Sequence, residues 1–230
     1  AGVRAAQTWL CAYDGWAMYE YGLGVYKVCK MIAWVLLQVL FGLRVEGAKK
    51  IPKEGPVILA SNHMSFLDPV VMGVACPRVV SYMSREDLFQ YPILRWLLPR
   101  LYVIPVSRGA GDLGAIKAAI RVLKNGMAFG IFPEGRRSRT GFIEPFKTGA
   151  AAIALRTGAV IVPAAIIGSD KAWPVGKGPR LRRGVRVVFG DPIVLPPGKP
   201  DHQSLEEVTH RLEAAVTELL PPEYHRKPTV

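Results

Sequence analysis

The chain has few cysteines, little acid in its middle and no long apolar run free of charge. Its three cysteines, Cys11, Cys29 and Cys76, show no paired spacing and no Cys-x-x-Cys, which argues against a disulfide framework and a zinc site and fits a reducing, cytosolic setting. None stands beside a base in sequence, so none is favoured as an acyl-accepting nucleophile. The Gly-x-Ser-x-Gly elbow of serine hydrolases is missing, since Ser138 lies in Gly-Arg-Arg-Ser-Arg-Thr-Gly. No helix-turn-helix, zinc-finger or RNA-binding signature occurs, which removes the usual nucleic-acid readers. The sequence opens without the basic stretch of a secretory signal, although it also starts without a methionine.

Acid is scarce where base is dense. Residues 121–200 hold 14 Lys/Arg against 4 Asp/Glu, within a net charge of +12 for 230 residues. The last 30 residues reverse this, with 3 Lys/Arg against 6 Asp/Glu. A basic centre suits a phosphorylated substrate, an anionic bilayer, an acidic carrier protein or nucleic acid, and charge alone does not choose.

Residues 1–43 are rich in aromatics (Trp9, Tyr13, Trp16, Tyr19, Tyr21, Tyr26, Trp34) and end in the apolar run 31–43. As a helix those 13 residues reach about 20 Å against a hydrocarbon core near 30 Å, and extension backward meets Lys30 and Lys27. The expected arrangement is one or two helices lying in or on a membrane interface, with lysines snorkelling. From Arg44 onward short β-rich runs alternate with helical stretches, which predicts an α/β domain over 44–220: a mixed, mostly parallel sheet flanked by helices. The expected strands are 43–45, 57–60, 79–83, 101–106, 127–132, 160–167 and 185–189. The expected helices are 69–75, 86–98, 113–124, 147–157 and 204–219, the last capped by Ser204, with a frayed tail over 221–230.

Two motifs carry the chemistry. In Ser61-Asn62-His63-Met64-Ser65-Phe66-Leu67-Asp68-Pro69, a histidine and a carboxylate follow a buried strand. Five positions on a regular helix lie roughly 140° apart, so only a turn brings His63 and Asp68 together. Asp68-Pro69 also reads as a helix N-cap followed by proline at the first helical position. Two readings stand: a general base oriented by a carboxylate, or a loop histidine beside a cap. In Phe132-Pro133-Glu134-Gly135-Arg136-Arg137-Ser138-Arg139, three arginines within four positions make a loop able to grip phosphate, against the plainer reading of a solvated basic turn. Glu134, which would repel phosphate, is expected to meet a substrate hydroxyl or lock an arginine. Arg108 closes another strand, and Lys147 opens a small-residue helix whose first turn could receive an anion.

Together these blocks resemble the glycerolipid acyltransferases, in particular those acting on 1-acylglycerol-3-phosphate. The segments Val103-Ile104-Pro105-Val106-Ser107-Arg108 and Ile161-Val162-Pro163-Ala164-Ala165-Ile166 are similar to weaker motifs of that family, so the motifs together span 61–166 and the likeness is expected to cover 44–195. The resemblance implies direct transfer of an acyl group from a thioester to a lysophospholipid hydroxyl. His63 would be the general base and Asp68 its orienting partner, with Asn62 and Ser65 in support. Arg108, Arg137 and Lys147 would hold the acceptor phosphate, and Glu134 with Gly135 would order the glycerol end. It implies no metal and no cofactor beyond acyl-CoA or acyl carrier protein as co-substrate, an anionic membrane surface as partner, no nucleic acid, and membrane association on the cytoplasmic face. One departure stands out: Arg136 occupies a position where the family usually has threonine, which leaves another lysolipid, such as a lyso-ornithine lipid, as an alternative acceptor. A non-catalytic basic module is the remote alternative.

Overall fold

The structure is a computed structural model that describes residues 16–106, 111–195 and 200–225. Seven strands form one sheet: β1 (Arg44–Glu46), β2 (Val57–Ser61), β3 (Val80–Arg85), β4 (Val103–Val106), β5 (Ala128–Ile131), β6 (Val160–Ile167) and β7 (Arg186–Phe189). Their spatial order is β1-β7-β6-β2-β5-β3-β4, parallel throughout except where β7 meets β6. All seven expected strands are present, and the mixed, mostly parallel sheet matches the expected class. The central strands read as continuous apolar runs because helices cover both faces; all of β2 is buried.

One face carries α4 (Gly111–Lys124), α5 (Gly149–Thr157) and α7 (His202–Leu219), closing a core around Phe129, Leu123, Ile153 and Leu212. The other carries α2 (Asp68–Ala75) and the short α6 (Ser169–Ala172), with Val71, Met72, Phe41 and Phe189 in its core. α7 starts from Asp201 rather than Ser204. Asp201 accepts the Ser204 N–H at 2.7 Å while the Ser204 hydroxyl receives the Asp201 N–H at 3.1 Å, so the serine is the third helical residue of a capping box. The expected helix 86–98 is broken. Residues Glu86–Gln90 form a 3-10 turn and α3 (Pro92–Arg100) starts afresh, because Tyr91 precedes a proline and takes extended backbone (ψ 125°).

Two terminal expectations change. The apolar helix α1 (Trp16–Leu36) runs on through a π-helical turn, Leu37–Phe41, that Gly42 closes at φ +59°. Its span Gly22–Phe41 has mean hydropathy 1.6 and only 11 % of it is buried, so by length and composition it could cross a membrane. The sequence made it look short because of Lys30, yet the Lys30 ammonium turns inward and donates to the Cys76 carbonyl. At the other end, residues 221–225 are built into the fold rather than frayed. Tyr224 is buried, its hydroxyl receiving the Gly168 N–H at 3.0 Å and donating to Asp170 at 2.9 Å. Trp9, Tyr13, Cys11, Arg108 and residues 226–230 lie outside the described residues.

Beneath the site, Gly130 in β5 is a packing requirement. A Cβ there would lie 2.1 Å from the Tyr82 ring. Gly130→Ala is expected to cost about 1–3 kcal/mol through overpacking and to lower the melting temperature by several degrees. In a Tyr82→Ala background the same substitution should cost much less; equal losses in both backgrounds would disprove the contact.

Candidate active site

Parallel strands end together, and the carboxyl ends of β5, β2 and β6 lie side by side. Ala60 of β2 pairs with Ile131 of β5. His63 and Glu134 each stand three residues beyond that pair, so the register brings the two loops to the same height. Glu134 Oε1 accepts the His63 N–H at 2.7 Å, and the Ser138 N–H reaches the His63 carbonyl at 2.7 Å. The histidine's main chain is thus gripped on both sides by the arginine-rich loop.

Asn62 makes that departure from the sheet possible. Its side-chain amide donates to the Ile166 carbonyl at 2.9 Å and its oxygen accepts the Ile166 N–H at 2.8 Å. A side chain thereby takes the place of a peptide on the β6 ladder, and β2 turns away without leaving Ile166 unpaired.

The turn expected between His63 and Asp68 is present, and it makes Asp68 an acceptor for the loop rather than a cap for α2. Asp68 Oδ2 accepts from the Met64 N–H at 2.6 Å, the Ser65 N–H at 2.7 Å and His63 Nδ1 at 2.8 Å. Leu67 stands at the N-cap with no side-chain bond to the helix. Because a carboxylate in this position only accepts, Nδ1 is the donor of the pair, which in the neutral imidazole leaves the lone pair on Nε2. The imidazole retains 17 % of its surface, while Asp68 retains none. Phe132 stacks on the ring at 4.1 Å between centroids with a 20° interplanar angle, and Tyr82 lies parallel to Phe132 at 6.4 Å. Ser65 ties the loop to the next one, its hydroxyl donating to the Trp173 carbonyl at 2.8 Å.

The arginines line a cleft of 410 Å³ with Thr140, Glu144 and Val175. Arg137 packs its guanidinium 3.4 Å from the centroid of the Phe66 ring. Its Nη1 is buried without a hydrogen-bond partner, as is Asp68 Oδ1. Burial lowers the Arg137 pKa, opposed by the Asp68 carboxylate. Arg136 is exposed, with Nη2 3.6 Å from Glu144 Oε2. Gly135, at φ +73°, leaves room for the Lys147 side chain, whose Nζ would be 3.0 Å from a Cβ there. Lys147 precedes α5, which starts at Gly149.

His63, Asp68, Glu134, Gly135, Arg137 and Lys147 therefore come together at one rim, with Asn62 and Ser65 beneath them, whereas Arg108 lies outside the described residues. Glu134 differs from expectation. It is 3 % exposed, and its oxygens receive the His63 N–H and, at 3.3 Å, the Glu144 N–H instead of a free hydroxyl or an arginine. Phe132 and Phe66 were not singled out by sequence, and Ser138 was considered there only as a serine outside a hydrolase elbow. Their aromatic faces and main-chain donors carry no signal there beyond membership of the motifs.

An acyltransferase family model matches residues 42–167. The chain is 31 % identical over 170 residues to a chloroplastic 1-acyl-sn-glycerol-3-phosphate acyltransferase of Arabidopsis thaliana, covering 72 % of this chain and 48 % of that protein. It is 29 % identical to a 1-acyl-sn-glycerol-3-phosphate acyltransferase of Bacillus subtilis, covering 85 % of this chain and 96 % of the relative. Thus it spans about half the length of the plant protein and nearly all of the bacterial one. The crystal structure of the 1-acyl-sn-glycerophosphate acyltransferase PlsC of Thermotoga maritima superposes with a TM-score of 0.73 at 26 % identity, covering 93 % of this chain and 87 % of that one.

Burial pushes the Glu134 carboxyl up to about 8, outweighing the two amide donors that favour its charged form. A folded-state pKa above the ordinary 4.5 means that the folded chain keeps a proton the unfolded chain has released. This contribution is complete below pH 4.5, declines as pH rises and is lost once pH passes about 8. The loss is on the order of a few kcal/mol. Glu134→Gln should remove the slope, so the variant gains on the wild type across that window in denaturant titrations. Parallel pH profiles would contradict the assignment.

Proposed function

The chain belongs to the acyltransferase family, and we propose that it transfers a fatty acyl group from an acyl thioester to the free hydroxyl of 1-acylglycerol-3-phosphate, giving phosphatidic acid. The observation that carries this reading is the 2.8 Å bond from His63 Nδ1 to Asp68, which fixes the tautomer and leaves Nε2 as a base at the rim where Arg137 holds an unpartnered buried donor. The two named relatives and the Thermotoga structure support the choice of acceptor.

In this mechanism the acceptor's phosphate meets Arg137 and Lys147, with Arg108 as a third cation, and the hydroxyl is positioned beside His63. Nε2 takes the hydroxyl proton as the oxygen attacks the thioester carbonyl. Asp68 steadies the imidazolium that forms, and the thiolate leaving group recovers the proton as the tetrahedral intermediate collapses. Phe132 holds the ring plane, and the Glu134 brace fixes the height from which it works. Gly135 lets Lys147 approach the loop. No acyl-enzyme is required. Coenzyme A and acyl carrier protein are both anionic donors that suit a basic rim, and the exposed apolar span of α1 supports membrane association, with the cleft on the cytoplasmic face in this reading.

Arg136 supports a second reading. An exposed guanidinium on the cleft wall, 3.6 Å from Glu144, adds a cation that a different lysolipid headgroup could use. A panel of acceptors separates the two, and indifference to removal of the glycerol phosphate would sink the first.

With lysophosphatidate and each donor, His63→Ala is expected to lower kcat about 10²–10⁴-fold. Arg137→Ala should mainly raise the acceptor KM, because it removes ground-state binding. Unchanged rates in both variants would overturn the site.

A further inference from the structure

Residues 173–185, between α6 and β7, form a loop that runs from the cleft to the end of the apolar helix. At its start, Trp173 holds the Ser65 hydroxyl through its carbonyl, its ring lies 5.8 Å from Phe66, and Val175 lines the cleft. At its end, the Gly184 N–H donates to the Phe41 carbonyl at 2.8 Å, and the Arg183 side chain lies over Gly42, its Nε 3.1 Å from where a Cβ would stand. The base of the loop is pinned by the close approach of Gly168 to the Gly184 carbonyl, 2.6 Å from a Cβ position, and by the Arg180 N–H on the Ala172 carbonyl at 2.7 Å.

The span between is basic and exposed. It contains Lys177, Arg180, Arg182 and Arg183 and no Asp or Glu, and it is flanked by Lys171 of α6 and Arg186 of β7. Arg186 pairs with Glu46 at 3.6 Å and Lys171 lies over the Tyr224 ring at 5.6 Å. No ion pair to Lys177, Arg180, Arg182 or Arg183 occurs among the described residues. Leu181, in the middle of these cations, is 79 % exposed. Beyond Gly42 the neighbouring apolar side chains of α1 and its π turn, Trp34, Val35, Leu36 and Val39, are exposed as well.

We propose that this loop seats on the anionic headgroups of a bilayer, with its cations on lipid phosphates and Leu181 among the upper acyl carbons, and so holds the mouth of the cleft at the membrane surface. Four cations on one short loop attract an anionic surface by about 1 kcal/mol each. An exposed leucine in their midst suits a surface with an apolar layer under its charge, and an acidic protein partner would offer it nothing comparable. The proposal deepens the reading of the chain as an enzyme that draws a lysolipid from the bilayer.

The test uses the full chain with Cys11 and Cys29 replaced by serine and an environment-sensitive fluorophore on Leu181→Cys. Reconstitution with phosphatidylcholine–phosphatidylglycerol vesicles should blue-shift the probe, and phosphatidylcholine alone or high salt should not. Combined R180Q, R182Q and R183Q should weaken the probe's response to added anionic lipid on the order of 10²-fold. The same variant should keep wild-type transfer to lysophosphatidate dispersed in detergent. A probe that responds equally to neutral vesicles overturns the proposal, as does loss of transfer in detergent, which would place the loop in the substrate site. A raised KM for acyl carrier protein with an unchanged vesicle response would assign the loop to that protein instead and likewise overturn it. Absence of any transfer by the wild type would fail the enzyme reading while leaving the vesicle result intact.

Discussion

A carboxyl group removed from water must be given hydrogen-bond partners, and two such groups decide how this rim is built. Asp68 gathers the amides of Met64 and Ser65 and the ring of His63 onto one oxygen, so the loop after β2 folds around it. Glu134 reaches across from the loop after β5 and takes the amide of His63. Neither loop has a regular structure of its own. The conformation of each is set by an acid buried under it, and both acids depend on the β2–β5 register to arrive at the right height.

The strands were legible because a parallel sheet covered on both faces writes itself as separated apolar runs. The strand order was not, since hydropathy records burial and no partner. The motif residues could be placed on one rim for the same reason, as strand ends are visible in the text. What their side chains face could not be read. Asp68 before Pro69 has the same sequence signature whether its oxygens serve helix amides or loop amides, and only the turn at Met64–Ser65 decides between them. Glu134 was assigned to a ligand because a charge in a basic loop looks exposed, whereas here it is among the least accessible residues. Lys30 misled for the opposite reason: a lysine inside an apolar run reads as its end, yet it crosses to the Cys76 carbonyl.

Some polar groups at the rim stay unsatisfied. Asp68 Oδ1 and Arg137 Nη1 are buried without partners, and the Tyr82 hydroxyl shares that state beneath the Phe132 stack. Such orphans destabilise a fold, typically by about 1–3 kcal/mol each, and they concentrate where a site waits for charge. Arg137 is the clearest case, because its ring contact with Phe66 holds the guanidinium in place and does nothing for the idle N–H. The site is thus rigid through its main-chain ties and electrostatically incomplete.

The pairing of β1 has a bearing on biogenesis. Residues 44–46 leave the ribosome directly after the apolar helix, but their strand partner is residues 186–188, at the far end of the sheet. Contacts so distant in sequence form late, after the intervening chain has been made. The helix is therefore synthesised and free to find its surroundings while the edge that anchors it is still missing. Pairing with β7 then fixes the chain just after the helix, whose earlier ties are Tyr26 to Val80 and Lys30 to Cys76, and a truncation before residue 186 would leave β1 an unpaired edge prone to association with other chains.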